Sequence, residues 1–177
     1  MGFLDRLRGR DDDATPAVDG AERAGDAGDA GTAGSGAVEA VEPLEEIGVR
    51  RLSPDEEAVL DEARGGYAAH GIDPADLSTI AAAYDRALDR VDDGGSGDAA
   101  TSDVVAVLAT AIGDHLVTAA GYRWVVSTDP FGTDLAVEPP RRGVPVVTRM
   151  LVAVRWMARE RGWVTGVTGH LADIGRR

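Results

Sequence analysis

Apolar and polar positions alternate with a clear period only after residue 49, and three helices stand out first. Ser53-Pro54-Asp55-Glu56 is a helix start: Ser53 can accept from the Glu56 amide, Glu56 can reach back, and Pro54 suits the first helical position. This helix is expected to run to about Ala69 with Gly71 ending it, and Gly65-Gly66 weaken its middle. Asp73-Pro74-Ala75-Asp76 repeats the device. It opens an amphipathic helix with Leu77, Ile80, Tyr84, Leu88 and Val91 at three- and four-residue steps. A third helix is capped by Thr101-Ser102-Asp103 and closed by Gly121. Its apolar stripe (Val104, Val107, Leu108, Ala111, Ile112, Leu116) is broad enough for a central, buried element. Gly113 within it costs about 1 kcal/mol relative to alanine, and close packing of another element would be a reason to keep it.

The pattern then turns to strands. Arg123–Thr128 is rich in Trp and Val, and Thr133–Val137 is its return strand. Between them, Asp129-Pro130-Phe131-Gly132 suits a hairpin turn: Asp opens it, Pro presets φ, and Gly takes the left-handed position. After a second turn at Pro139–Gly143, Val144–Thr148 is expected as a third strand, at an edge because of Pro145. From Arg149 the helical period returns through Met150, Leu151, Val154, Met157 and Ala158. Gly162 breaks it, and Trp163–Asp173 forms a last short helix. The class is α+β: helices packed on a small three-stranded antiparallel sheet. The third and the final, Trp-rich helix are expected over one face of the meander.

Residues 49–177 form this domain, behind two segments of different composition. Met1–Arg10 is a short amphipathic start segment, too brief to be a stable helix alone. Residues 11–48 are built from Asp, Ala, Gly, Glu, Thr and Ser and cannot bury enough apolar surface to order; they read as a disordered acidic arm. The net charge of −13 is unevenly placed: residues 1–100 carry 24 acids against 9 arginines, whereas 101–177 carry 7 against 9. Such an arm is repelled by nucleic acid and anionic lipid. No apolar run is expected to reach the roughly 20 residues of a membrane span, and no signal peptide is visible, so the protein is expected in the cytoplasm. The chain has no cysteine, lysine, asparagine or glutamine. The missing cysteine excludes disulfides and thiolate chemistry. The all-arginine basic set fits a GC-rich genome and lends the arginines no function by itself.

The chemistry-bearing residues are sparse. His115 follows Asp114 on the third helix, but adjacent helical residues point about 100° apart and make no dyad, so His115 reads as a core or boundary histidine. No metal-ligand spacing, phosphate loop or nucleophile elbow is present, and no cofactor is expected. Asp129 and Asp134 are explained by the hairpin. The most suggestive group is Arg149, Arg155, Arg159 and Arg161 interleaved with Trp156 and Trp163, a composition typical of interface hot spots. Its bland counterpart is a surface helix whose arginines pair with Glu160 and other acids while the tryptophans pack inward.

The run Gly113–Trp163 resembles a family of small bacterial proteins, the domain of unknown function 3806. The resemblance rests on Ile112-Gly113 and Leu116, on Trp124 through Val137, on Val146-Val147, and on Arg155-Trp156-Met157-Ala158-Arg159-Glu160-Arg161-Gly162-Trp163. Thr148 stands where many members carry proline. The resemblance implies helices packed on a small antiparallel sheet and implies no activity. The expected role is a non-catalytic protein-interaction or regulatory module with a protein partner or a second copy. The binding residues would come from Trp124, Asp129, Arg149, Arg155, Trp156, Arg159, Glu160 and Trp163. The alternative is a ligand binder or enzyme with Trp124, Asp129, Arg155 and Glu160 around a pocket. Membrane attachment through residues 1–10 is a weaker third reading.

Overall fold

A computed structural model describes residues 48–177 apart from 93, 95–97, 131 and 142. The expectations for the start segment and the acidic arm therefore lie, Gly48 aside, outside the described residues. Five helices and one single-turn helix accompany a three-stranded antiparallel sheet. In chain order these are β1 (Gly48–Arg50), α1 (Pro54–Gly65), α2 (Tyr67–His70), α3 (Leu77–Asp92), α4 (Asp98–Ala120), β2 (Arg123–Asp129), β3 (Gly132–Glu138), α5 (Thr148–Met157) and α6 (Trp163–Arg176).

The expected capping box at α1 is present: Ser53 Oγ accepts from the Glu56 amide and the Glu56 carboxylate accepts from the Ser53 amide. Arg50 forks onto the same carboxylate at 2.6 and 2.7 Å, tying β1 to the helix start. That guanidinium, with the Ser53 amide, lowers the Glu56 carboxyl to about 2. The helix expected to reach Ala69 is interrupted at Gly66, whose N–H bonds Ala63 at i−3 and tightens the turn. A Cβ there would lie 2.7 Å from Val107 of α4, so the break lets the chain pass close to the central helix. Gly71, at φ +61°, ends α2 as expected.

α3 starts later than Asp73. Asp73 folds an Asx turn onto the Ala75 amide, and Asp76 caps the helix through the Ser78 amide. α4 begins at Asp98, ahead of the expected Thr101 cap, and ends where expected before Gly121 at φ +71°. It meets α1, α3, α5, α6 and both long strands. Leu108, Ala111, Ile112 and Leu116 are buried along it. Contrary to the sequence reading, Thr101–Ala120 is long and apolar enough to cross a membrane by composition; 56% of its most apolar window is buried, as in the core helix of a globular fold.

The third strand is not Val144–Thr148. β2 is central, with β3 on one edge through Arg123↔Glu138 to Asp129↔Gly132 and β1 on the other through Gly48↔Thr128 to Arg50↔Val126. Val146 instead makes an isolated bridge, exchanging two 2.9 Å bonds with Val137, and the chain then enters α5 at Thr148. Pro145, with no N–H to give, cannot donate to a longer ladder. The helical cover also differs from expectation. α5 joins α4 against β3, whereas α6 packs on α3 and α4. Gly113 sits where the sheet meets α4: a Cβ there would lie 2.1 Å from Cζ2 of Trp124.

Candidate functional site

Asp114, next to that contact, accepts four hydrogen bonds from other side chains. Its Oδ1 accepts from Arg64 Nη2 and Trp124 Nε1, both at 2.8 Å. Its Oδ2 accepts from Arg64 Nε and the Tyr67 hydroxyl, both at 2.9 Å. One carboxylate thus ties α1, α2, α4 and β2 together. Burial pushes its carboxyl up, but the bonds from Arg64, Trp124 and Tyr67 outweigh this and hold it below the ordinary carboxylate range. Burial, followed by the Asp114 charge, pushes the Tyr67 phenol up. A carboxylate has about four acceptor positions, and here four donors occupy them. It is saturated, so it is poorly placed to take a proton and well placed to hold the fold.

Sequence reasoning passed over this group because Arg64 and Tyr67 lie 50 and 47 positions away. The available signal was an aspartate on the apolar α4, beside a glycine and upstream of a Trp-rich strand. Neighbouring His115 is half-buried with Nδ1 2.9 Å from the Pro74 carbonyl, the boundary histidine expected.

The arginines and tryptophans separate into inner and outer parts. Trp156 and Trp163 are 7% and 5% exposed and stand edge-on to the fully buried Tyr84, with centroids 5.7 and 5.4 Å away. They form the core between α3, α5 and α6. Arg155 lies over Trp163 at 4.7 Å, donates to the Leu151 carbonyl, and has Nε 3.8 Å from Glu160. Arg159 and Arg161 reach Asp92 at 3.4 and 2.9 Å, and Arg161 also reaches Asp89 at 2.8 Å. Arg149 donates to Ser102 Oγ at 3.2 Å. Asp129 accepts the Gly132 amide within the hairpin turn. Of the four residues set out for a ligand pocket, these contacts join Arg155 to Glu160, while Trp124 is tied to Asp114.

Outside this cluster, α5 presents Met150, Val154 and Met157 to solvent at i, i+4 and i+7. Val146, Val147, Met150, Leu151, Val154 and Arg155 line a shallow depression of about 320 Å³ on this side.

No curated protein and no solved structure matches the chain. The family model described as Domain of unknown function (DUF3806) matches residues 76–166, just over half of the chain, from the start of α3 into α6. The match takes in Asp114, the β2–β3 hairpin, α5 and the buried tryptophans, and the chain belongs to that family.

Proposed function

We propose that the domain is a non-catalytic protein-interaction module whose α5 face docks a second copy of the chain. The observation that carries this reading is the exposed stripe: Met150, Val154 and Met157 are 37–60% exposed on one side of α5. Contiguous apolar surface of this kind marks interaction sites. The charges around it favour a self-complementary partner. A two-fold axis near Val154, with the two α5 helices antiparallel, sets Met150 of one copy against Met157 of the other. It also brings Arg149 towards Glu160, the exposed acid just past the helix end. The apolar side chains make the centre and the charges the rim, the usual anatomy of an interface. By contrast, Asp114 and the acids near Arg159 and Arg161 are engaged in internal pairs that hold helices together.

Sedimentation velocity from micromolar to submillimolar concentration tests the proposal. The full chain is expected to dimerise, and Val154→Asp to remain monomeric with an unchanged circular-dichroism melt, since Val154 is already half exposed. A wild-type chain that stays monomeric at every concentration refutes it.

A further inference from the structure

Sulfur is unevenly placed in this chain. There is no cysteine, and the three methionines are Met1, Met150 and Met157. Among the described residues, the buried apolar core is built of aliphatic and aromatic side chains and contains no methionine. Both described thioethers lie instead on the outer stripe of α5, Met150 at 37% and Met157 at 60% exposure, with Val154 between them. Seven residues apart, they sit two helical turns from each other on one face, about 10 Å along the axis.

That placement decides what oxidation does to the protein. A hydroperoxide gives one oxygen to an accessible thioether. The sulfur lone pair attacks a peroxide oxygen, the O–O bond breaks as the S–O bond forms, and the other oxygen leaves as water with the proton of the first. Sulfur loses two electrons, the peroxide gains them, and an apolar side chain becomes a polar sulfoxide. Inside a core this would disrupt the fold; on the outer stripe of α5 it falls on surface that the folded monomer leaves to solvent. No thiol in the chain competes for the oxidant. With two α5 helices antiparallel about Val154, Met150 of each copy meets Met157 of the other, so oxidation sets sulfoxides against apolar side chains at both ends of the contact.

We infer that Met150 and Met157 are a paired oxidation site through which a hydroperoxide holds the chain monomeric, and from which sulfoxide reduction releases it. The inference rests on the docking of two copies through α5. Paired copies cover the thioethers, so the oxidant meets them in the free monomer and draws the equilibrium towards it by mass action.

The test is sedimentation velocity of the full chain before and after hydrogen peroxide, with peptide mass mapping to place each oxygen. One oxygen is expected on Met150 and one on Met157, with the dimer dissociation constant raised about tenfold or more. Melts taken where both forms are monomeric are expected to coincide. Sulfoxide reductases specific for the two epimers, used together, are expected to restore dimerisation. Met150→Leu/Met157→Leu keeps volume and apolarity and is expected to dimerise with or without peroxide, although Met1 remains oxidisable. An untreated wild-type chain that stays monomeric overturns the docking reading and this inference with it. A wild-type dimer that peroxide leaves intact overturns this inference alone. So does peroxide-driven dissociation of the double-leucine variant, a lowered melt of the oxidised monomer, or dissociation that the reductases do not reverse. Reversal by the reductases decides the matter even if leucine itself weakens docking.

Discussion

Replacing Gly113 by alanine sets two effects of similar size against each other, and the structure decides the sign. Helix propensity alone favours alanine by about 1 kcal/mol. Against this, the new Cβ would lie 2.1 Å from Cζ2 and 2.4 Å from Cη2 of Trp124. Carbon atoms rest about 3.5–4.0 Å apart, so the indole must retreat by roughly 1.5 Å. It is pinned on the other side by the 2.8 Å bond from Nε1 to Asp114. Overpacking of this kind costs about 1–3 kcal/mol, and a hydrogen bond to a charged acceptor is worth about 1.5–3 kcal/mol. Partial loss of both, less the propensity gain, leaves Gly113→Ala about 2 kcal/mol less stable. Urea unfolding followed by tryptophan fluorescence reads this directly. With a slope of about 1.5 kcal/mol per molar, the midpoint is expected to fall by about 1.3 M. In a Trp124→Phe background the clashing atoms are gone, and the same substitution should be neutral or stabilising. A midpoint that rises on Gly113→Ala alone would refute the packing argument.

Asp114→Ala strands Arg64, the Tyr67 hydroxyl and the Trp124 N–H together. Because Arg64 keeps 36% of its side chain in water, the cost is set at about 2–4 kcal/mol, below that of a fully buried pair, and urea midpoints check it. The pH dependence follows from the same carboxylate and from Glu56, both of which titrate lower in the folded than in the unfolded chain. Their contribution is complete above about pH 5 and is lost as pH falls from about 4 towards 2. Melting temperatures should be flat at neutral pH and fall across that window, less steeply in Asp114→Ala. Trp156→Ala should cost about 3–5 kcal/mol by opening a cavity beside Tyr84, a loss that thermal unfolding against Val154→Asp, on the outer face of the same helix, will separate from docking.

The local grammar of the chain determined most elements: the Ser53–Glu56 box, the glycines after α2 and α4, the Asp-Pro-x-Gly hairpin and the 3–4 period of α3 all act within a few residues of themselves. Even Gly113, an oddity in an apolar helix, announced a close neighbour without naming it. What the sequence did not disclose depends on contacts that leave no local period. β1 is three residues long, too short to alternate, and its partner β2 lies more than seventy positions away. Val144–Thr148 has strand composition yet makes a single bridge, because pairing depends on where a neighbouring edge is free. Asp114 read as a bystander to His115 until folding brought Arg64, Tyr67 and Trp124 around it. Adjacent on α5, Arg155 and Trp156 looked like one surface. The position of α3 and α6 turned the ring inward onto Tyr84 and left Met150, Val154 and Met157 facing out. Caps and periods are energies between near neighbours and are written in order along the chain; which face of a helix is covered is set by the elements that arrive from elsewhere in the chain, and that only tertiary packing decides.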